Sequence, residues 1–128
     1  MDCINDHHDI HYDFIYSVAV IHMLIDDNDR NSFYKFVYDH LSDAGLALIC
    51  SMGDGMSESV SDASKAFDMA ERNHESGVIT VPSTSLRMTN WEHLEKEIIS
   101  NNLSIIEKGI TSSLPDFNSL MYVIVRKT

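Results

Sequence analysis

The sequence predicts an α/β fold, a mixed sheet of two parallel strands plus a C-terminal antiparallel hairpin, flanked by helices. Two short apolar runs, "FIYSVAVI" (14–21) and "LALIC" (46–50), enclose a segment with helical periodicity. That order is typical of parallel strands joined by a crossover helix. Two further apolar runs close the chain, separated only by the short linker "TSSLPD". So short a connection favours an antiparallel pair.

Length and charge limit the classes of protein to which this chain can belong. Its 128 residues suit a single domain, residues 1–128, with 44% hydrophobic and 23% charged residues. The net charge of −11 argues against nucleic acid as a partner, because phosphate binding needs an excess of Lys and Arg. No apolar run is long enough to span a bilayer, and no signal peptide is recognisable. Two cysteines, expected to be reduced, favour a cytoplasmic location.

The first predicted strand lacks a polar face. "FIYSVAVI" is rich in β-branched and aromatic residues and shows no alternation, a pattern typical of strands covered on both faces. The polar segment "IDDNDRNS" follows and is rich in helix-capping residues. A helix is then predicted, ending near Gly45 before the strand "LALIC". Its apolar face consists of Phe33, Phe36, Val37 and Leu41.

The middle of the chain predicts a helix, a short extended piece and a second helix. "SDASKAFDMAERNHESG" (61–77) has helical propensity and Gly77 as a stop, with Ala63, Ala66, Phe67 and Ala70 on one side. "VITVPSTSLRM" reads as extended and is broken by Pro82. In "TNWEHLEKEIISNN" a capping box of Thr89 and Glu92 predicts a helix start. Its predicted inward face consists of Trp91, Leu94, Ile98 and Ile99.

Several segments, in order, resemble the C-terminal half of the class I S-adenosylmethionine-dependent methyltransferases. "YDFIYSVAVIHML" resembles the fourth strand of that family, and "FYKFVYDHLSDAGLALIC" resembles the next helix and the fifth strand. The runs "LSIIEKGI" (103–110) and "FNSLMYVIVRK" (117–127) resemble the last two strands, of which the final one lies antiparallel beside the fifth. The resemblance implies a partial Rossmann-like methyltransferase sheet, with S-adenosylmethionine as cofactor of the parent protein.

The resemblance does not include the half of the family that holds most of the cofactor. No glycine-rich turn follows a strand before residue 53, and the pair Gly53 and Gly55 follows the fifth strand instead. "GDG" at that place is expected to be a plain turn rather than an anion site. The chain is therefore expected to be a fragment, a truncated product or one piece of a split protein, and to bind cofactor weakly or not at all alone.

The missing neighbour changes the expected surroundings of the first strand. In the resembled fold the fourth strand pairs with the first strand, which this chain does not contain. The strand at 14–21 then becomes an edge without a charged gatekeeper, and such edges recruit other strands. We therefore expect a homodimer or a strand-swapped oligomer.

The resemblance also implies which residues approach the cofactor. Ligands of open α/β sheets bind beyond the carboxyl ends of the strands. Small side chains at Ser17, Val18 and Ala19 are expected near the cofactor, with Asp2 and Cys3 near its adenine. Simple strand packing is the alternative for the first three. His22 is a possible general base, and a packing histidine at a helix start is the alternative.

The remaining polar residues give substrate-binding and metal hypotheses. In the resembled family the segment at 56–90 caps the active site, and Arg72, His74 and Arg87 are its candidates for gripping an anionic substrate. Surface charge is the alternative, above all for Arg72. "HHDIH" (7–11) lacks a distant further ligand and "DDND" (26–29) lacks the rest of a calcium loop, so no metal is expected at either.

Two functions remain open from sequence. The first is a methyltransferase acting on a small-molecule acceptor, without nucleic-acid or membrane partners and not competent as this chain alone. The second is a non-catalytic methyltransferase-like module that self-associates through its exposed edge strand.

Overall fold

A computed structural model describes residues 8–61, 69–82, 85–115 and 118–128, with backbone only at 70, 72, 74, 81 and 82. Two α-helices and a four-stranded sheet form the main body of this described part. The strands are β1 (Tyr12–Val18), β2 (Leu41–Met52), β7 (Leu103–Thr111) and β8 (Leu120–Lys127). The helices are α1 (Asp27–His40) and α2 (Trp91–Ser100), and a 3₁₀ turn spans Ile21–Met23.

The sheet is mixed, as the sequence predicted. Its order is β1-β2-β8-β7, with β1 parallel to β2 and β8 antiparallel to both of its neighbours. The final strand therefore lies between β2 and β7, beside the second parallel strand. This confirms the predicted hairpin and its insertion next to the strand that follows α1.

α1 ends earlier, and β2 starts earlier, than the sequence suggested. The helix ends at His40 and β2 begins at Leu41, so Gly45 lies inside a strand rather than after a helix. The pairing is irregular here, because β1 advances from Tyr12 to Phe14 while β2 advances from Leu41 to Leu46. A Cβ at Gly45 would lie 2.9 Å from the Leu41 side chain. Glycine therefore permits this bulge, which sequence reasoning took for a helix end.

The predicted helix at 61–77 is wrong over its described part. Strand β4 (Met69–His74) pairs antiparallel with β5 (Gly77–Pro82) in a two-stranded hairpin. Gly77, with φ +117°, serves its turn rather than a helix stop. The extended reading of "VITVP" is confirmed. Three of the predicted helix-face residues, Ala63, Ala66 and Phe67, lie outside the described residues.

A small two-stranded sheet joins the two ends of the segment at 56–90, which we call the inserted segment. β3 (Ser59–Val60) pairs with β6 (Arg87–Met88), in the antiparallel sense. Backbone bonds continue the pairing, because Ser61 N donates to Leu86 O over 2.8 Å. The inserted segment thus leaves and re-enters the main body at one place.

α2 forms where predicted, but it is capped differently. Its N-cap is Asn90, whose side chain accepts a hydrogen bond from His93 N at 2.9 Å, and the predicted Thr89–Glu92 capping box does not form. Thr89 is buried instead, and its hydroxyl has no partner. Leu94 and Ile98 are buried as expected, whereas Ile99 is 65% exposed. Trp91 packs at the edge of the core.

The core lies between one face of the main sheet and the two helices. Phe33, Tyr34 and Val37 of α1 and Leu94 and Ile98 of α2 meet the sheet there. The sheet contributes Ala47, Ile49, Leu103, Met121, Val123 and Val125. Among the described residues, no helix is long and apolar enough to cross a membrane.

Candidate functional site

The candidate site lies at the carboxyl ends of β1 and β2, where the chain turns into α1. The turn is sharp: Ala19 adopts φ +62°, a left-handed conformation that alanine rarely takes. Ala19 N donates to Cys50 O at 3.0 Å, which continues the β1–β2 pairing by one residue. Strained backbone of this kind is concentrated at functional sites, where surrounding structure holds it in place.

Ser17 carries an unsatisfied hydroxyl just before this turn. Its Oγ atom is buried and has no hydrogen-bond partner. The residue lies on the same face of β1 as Ile15, which packs against the core. Because buried polar groups are nearly always paired, an orphan hydroxyl here is the kind of group that a bound ligand or water satisfies.

The other face of β1 is open among the described residues. Phe14, Tyr16 and Val18 are 57%, 72% and 39% exposed. A groove of about 510 Å³ runs along β1 and is closed on its far side by Phe33, Phe36 and Val37 of α1. β1 is an edge strand in the described sheet, as predicted.

His22 lies buried in the 3₁₀ turn beyond β1. Its Nδ1 accepts a hydrogen bond from Met52 N at 3.1 Å, which joins the turn to the end of β2. Burial lowers the pKa of His22, and the nearby Arg30 guanidinium lowers it further. The ring is therefore held neutral with its proton on Nε2, which makes it a hydrogen-bond donor. This geometry matches the packing alternative, and the general-base role stays a prediction.

A charged cluster adjoins the same edge, between α1 and α2. Arg30 is 1% exposed and forms a two-point ion pair with Glu97, Nε to Oε1 at 2.8 Å and Nη2 to Oε2 at 2.9 Å. Its Nη1 donates to the carbonyl oxygens of Ile21 and Leu24. The Tyr34 hydroxyl donates to Glu97 Oε2 at 2.9 Å. The pair therefore fixes the chain between β1 and α1.

Arg87 extends this cluster from the inserted segment. Its Nη1 donates to Ile25 O at 2.6 Å and to Asp27 Oδ1 at 2.7 Å. Its Nη2 lies 3.3 Å from His93 Nε2, while His93 Nδ1 lies 3.0 Å from Glu58 Oε1. The ion pair with Arg87 lowers the pKa of the Asp27 carboxyl. Glu58 and Arg87, at the two ends of the inserted segment, thus both contact His93 of α2.

The structure brings some of the predicted site residues together and not others. Ser17, Val18, Ala19 and His22 lie at one edge of the sheet, as expected. Arg87 lies beside that edge with its guanidinium already bonded, while Arg72 and His74 lie in β4, where only their backbone is described. Asp2 and Cys3 lie outside the described residues. The turn at "GDG" is stabilised by its own residues, because Asp54 Oδ1 accepts hydrogen bonds from the backbone N–H groups of Met56 and Ser57.

Sequence reasoning missed the Arg30–Glu97 pair and the role of Tyr34. A signal was available, because Arg30, Phe33, Tyr34 and Val37 share one face of α1 at helical spacing. A basic residue in an inward stripe needs a buried partner, which indicates an acid on the facing helix. Nothing in the spacing identified which of the glutamates of α2 that acid is.

No protein-family model matches the sequence, and no curated protein matches it significantly. Solved structures do match the fold. A methyltransferase dependent on S-adenosylmethionine, from Clostridium acetobutylicum ATCC 824, is 17% identical to this chain with a TM-score of 0.69. The match covers 99% of this chain and 63% of the methyltransferase chain. The glycopeptide N-methyltransferase MtfA is 15% identical to this chain with a TM-score of 0.71, and the match covers 100% of this chain and 60% of MtfA.

A third match comes from Burkholderia thailandensis. Its 1,6-didemethyltoxoflavin-N1-methyltransferase, solved with bound 1,6-didemethyltoxoflavin and S-adenosylhomocysteine, is 9% identical with a TM-score of 0.71. The match covers 98% of this chain and 48% of that one. This chain therefore spans about half to three-fifths of the solved structures that it matches. At these identities the similarity establishes the fold, and it confirms the resemblance to the methyltransferase sheet.

Proposed function

We propose that this chain forms one wall of the cofactor site in an S-adenosylmethionine-dependent methyltransferase acting on a small molecule. One observation carries the proposal: the β1-β2-β8-β7 sheet, with its parallel pair and inserted antiparallel strand, matches solved methyltransferases over 98% or more of its length. The substrate class rests on neighbours whose names include a toxoflavin precursor and glycopeptides. The net charge of −11 disfavours a nucleic-acid acceptor.

The residues at the end of β1 fit one side of such a cofactor. S-adenosylmethionine supplies a methyl group on a positively charged sulfur. Small side chains at Val18 and Ala19 permit close approach to it, and the orphan Ser17 hydroxyl offers both a donor and an acceptor. Asp2 and Cys3 are proposed near the adenine ring. The chain presents no glycine-rich turn after β1, so the rest of the site is proposed to come from residues outside it.

The transfer itself needs positioning more than proton chemistry. Proximity and in-line alignment supply much of the rate of a methyl transfer. We therefore propose that His22 holds the β1 turn against β2 through Met52 N, while its general-base role stays a prediction. Arg87, with Arg72 and His74, is proposed to face an anionic acceptor at the inserted segment. Arg87 also holds that segment against the start of α1.

Binding is best tested by nuclear magnetic resonance, because the isolated wall should bind weakly. We expect millimolar S-adenosylhomocysteine to shift the amide signals of Ser17, Val18 and Ala19, and calorimetry to detect no micromolar binding. Ser17→Ala should weaken the shifts, whereas Ser113→Ala, an exposed control, should not. Shifts confined to other regions would contradict the proposed site. Micromolar affinity for S-adenosylhomocysteine, or detectable methyl transfer by this chain alone, would contradict the proposal that the chain forms only part of the cofactor site.

A second function, a non-catalytic module that self-associates, is favoured by the open β1 edge. Phe14 and Tyr16 are largely exposed there, and the strand offers unpaired backbone groups to a second copy. Sedimentation of the 128-residue chain tests this. Tyr16→Lys should convert a dimer to a monomer, while Ile110→Lys on the opposite edge strand should not. A monomer at high concentration would exclude the module, without affecting the cofactor proposal.

We also propose a cytoplasmic location for the parent enzyme. Cys50 is a free, buried thiol, and burial raises its pKa, which keeps it protonated and unreactive. Such a thiol suits a reducing compartment. Cell fractionation that recovered the protein outside the cytoplasm would contradict this assignment.

A further inference from the structure

Three side chains of metal-binding type meet between the two helices. Asp27 is the first residue of α1, and His93 and Glu97 lie one turn apart on α2. One ligand atom from each residue lies within 4.8 Å of the other two. Asp27 is far in sequence from His93 and Glu97, so it meets them only because α1 and α2 lie beside each other.

The spacing of two of these atoms already suits a bound ion. His93 Nε2 lies 3.4 Å from Glu97 Oε1. Zinc binds imidazole nitrogen at about 2.0–2.1 Å and carboxylate oxygen at about 2.0–2.2 Å. Two such ligands at a tetrahedral angle lie about 3.4 Å apart. An ion could therefore bridge His93 and Glu97 without separating them.

The two ring nitrogens of His93 contact different groups, one inside the group of three residues and one outside it. Nε2 lies 3.3 Å from Arg87 Nη2 and 3.4 Å from Glu97 Oε1. Nδ1 lies 3.0 Å from Glu58 Oε1, outside the group of three residues. A histidine that ligates a metal through one nitrogen usually donates its other N–H to a carboxylate, and Glu58 offers such a carboxylate here.

The cluster already accommodates positive charge at this point. Arg87 contacts Asp27 and His93, two of the three side chains, with one guanidinium. A divalent ion carries twice that charge on a single centre. Asp27, His93 and Glu97 also border a cavity of about 580 Å³, which is flanked by Glu58 and Glu92. The cavity leaves room for water as the remaining ligand.

We propose that Asp27, His93 and Glu97 bind a divalent transition-metal ion, with zinc as the best match to one imidazole and two carboxylates. The ion replaces Arg87 Nη2 at His93 Nε2, and water completes its coordination on the cavity side. The inference is independent of the methyltransferase proposal. It joins α1 to α2 through a metal in addition to the Arg30–Glu97 pair.

Calorimetric titration of the metal-free chain with zinc chloride tests the site. His7, His8 and His11 are first replaced by alanine, because short histidine-rich tracts are a common source of weak metal binding outside a built site. We expect one site per chain, weakened at least tenfold by His93→Gln and by Asp27→Asn. Glu92→Gln, on the same helix and cavity but outside the cluster, should leave the affinity unchanged.

Two further measurements separate ligation from a general loss of structure. Cobalt substituted for zinc should give visible absorption bands that His93→Gln removes while the circular dichroism spectrum stays the same. Arg87→Met should tighten zinc binding, because it removes the competing guanidinium. The proposal is overturned by an absence of zinc binding up to millimolar concentration, or by equal affinity in the parent and in His93→Gln.

Discussion

At the scale of single residues, the Arg30–Glu97 pair dominates the interior. The guanidinium is 1% exposed and the Glu97 side chain 11%, so neither charge is compensated by water. Three of the Arg30 nitrogens donate to Glu97, Ile21 O and Leu24 O. Because removing one partner leaves a buried charge alone, such pairs are costly to break.

Arg30→Met should therefore lower the free energy of unfolding by about 3–5 kcal/mol. Urea denaturation followed by circular dichroism measures it. The matched control is Lys35→Ala in the same helix, where the pair with Asp39 is exposed and should contribute less than about 0.5 kcal/mol. Equal effects of the two substitutions would show that Arg30 acts as an ordinary surface charge.

A second residue-scale prediction concerns the strained turn at the proposed site. Ala19→Val should destabilise the fold by about 1–3 kcal/mol, because a β-branched residue tolerates φ +62° poorly. Ala19→Gly should cost little, since glycine adopts this conformation freely. Denaturation midpoints of the two variants give the difference, and a Val variant as stable as the Gly variant would contradict the strain.

The lowered pKa of His22 predicts a dependence of stability on pH. Unfolded His22 takes up a proton near its ordinary pKa of 6.5, while the buried ring resists protonation to lower pH. Protonation therefore favours the unfolded chain, and the stability contribution present above about pH 6.5 is lost as the pH falls through the lowered folded pKa. His22→Gln should reduce the change in the urea midpoint of unfolding between pH 7 and pH 5. An unchanged slope would contradict this origin.

At the scale of elements, the start of α2 depends on the glycine turn after β2. Trp91 N donates to Gly55 O at 3.0 Å, and a Cβ at Gly55 would lie 2.3 Å from Trp91 Nε1. Gly55 also adopts φ +82°. The glycine thus allows the turn and the helix to touch, which a larger residue would prevent.

Gly55→Ala should therefore destabilise the fold by about 2–4 kcal/mol, from backbone strain together with the displaced indole. Gly77→Ala is the control, because its φ of +117° is also unfavourable but nothing lies within 4 Å of its Cβ. Tryptophan fluorescence should report a changed environment of Trp91 in the first variant alone. A Gly77 effect as large as that of Gly55 would assign the cost to backbone conformation only.

At the scale of the whole molecule, net charge opposes compactness. Nine basic and twenty acidic residues leave a net charge of −11 at neutral pH. Self-repulsion of like charges destabilises a compact state, and salt screens it. Raising sodium chloride from low to physiological concentration should raise the thermal unfolding temperature by a few degrees. A fall would show that the ion pairs of the described residues outweigh the net repulsion.

Local pattern predicted much of the main sheet and less of the site. The β1–α1–β2 order and the β7–β8 hairpin followed from apolar runs and short linkers, because those signals are local. Ser17, Val18, Ala19 and His22 were placed at one sheet edge by the resemblance to the methyltransferase sheet, which local pattern alone would not have supplied. The prediction of a helix at 61–77 was wrong over its described part, because it rested on helical propensity alone. Propensity does not reveal the backbone hydrogen bonds that pair β4 with β5.

The sequence by itself determined most strands and helices of the main body, because short apolar runs and the 3.6-residue spacing of helix faces are local signals. Only the tertiary structure decided which charges meet. Arg30 pairs with Glu97 across 67 positions, and Asp27 reaches Arg87 and His93, because α1 and α2 pack side by side. Such contacts depend on distances between elements, which no local pattern in the chain records.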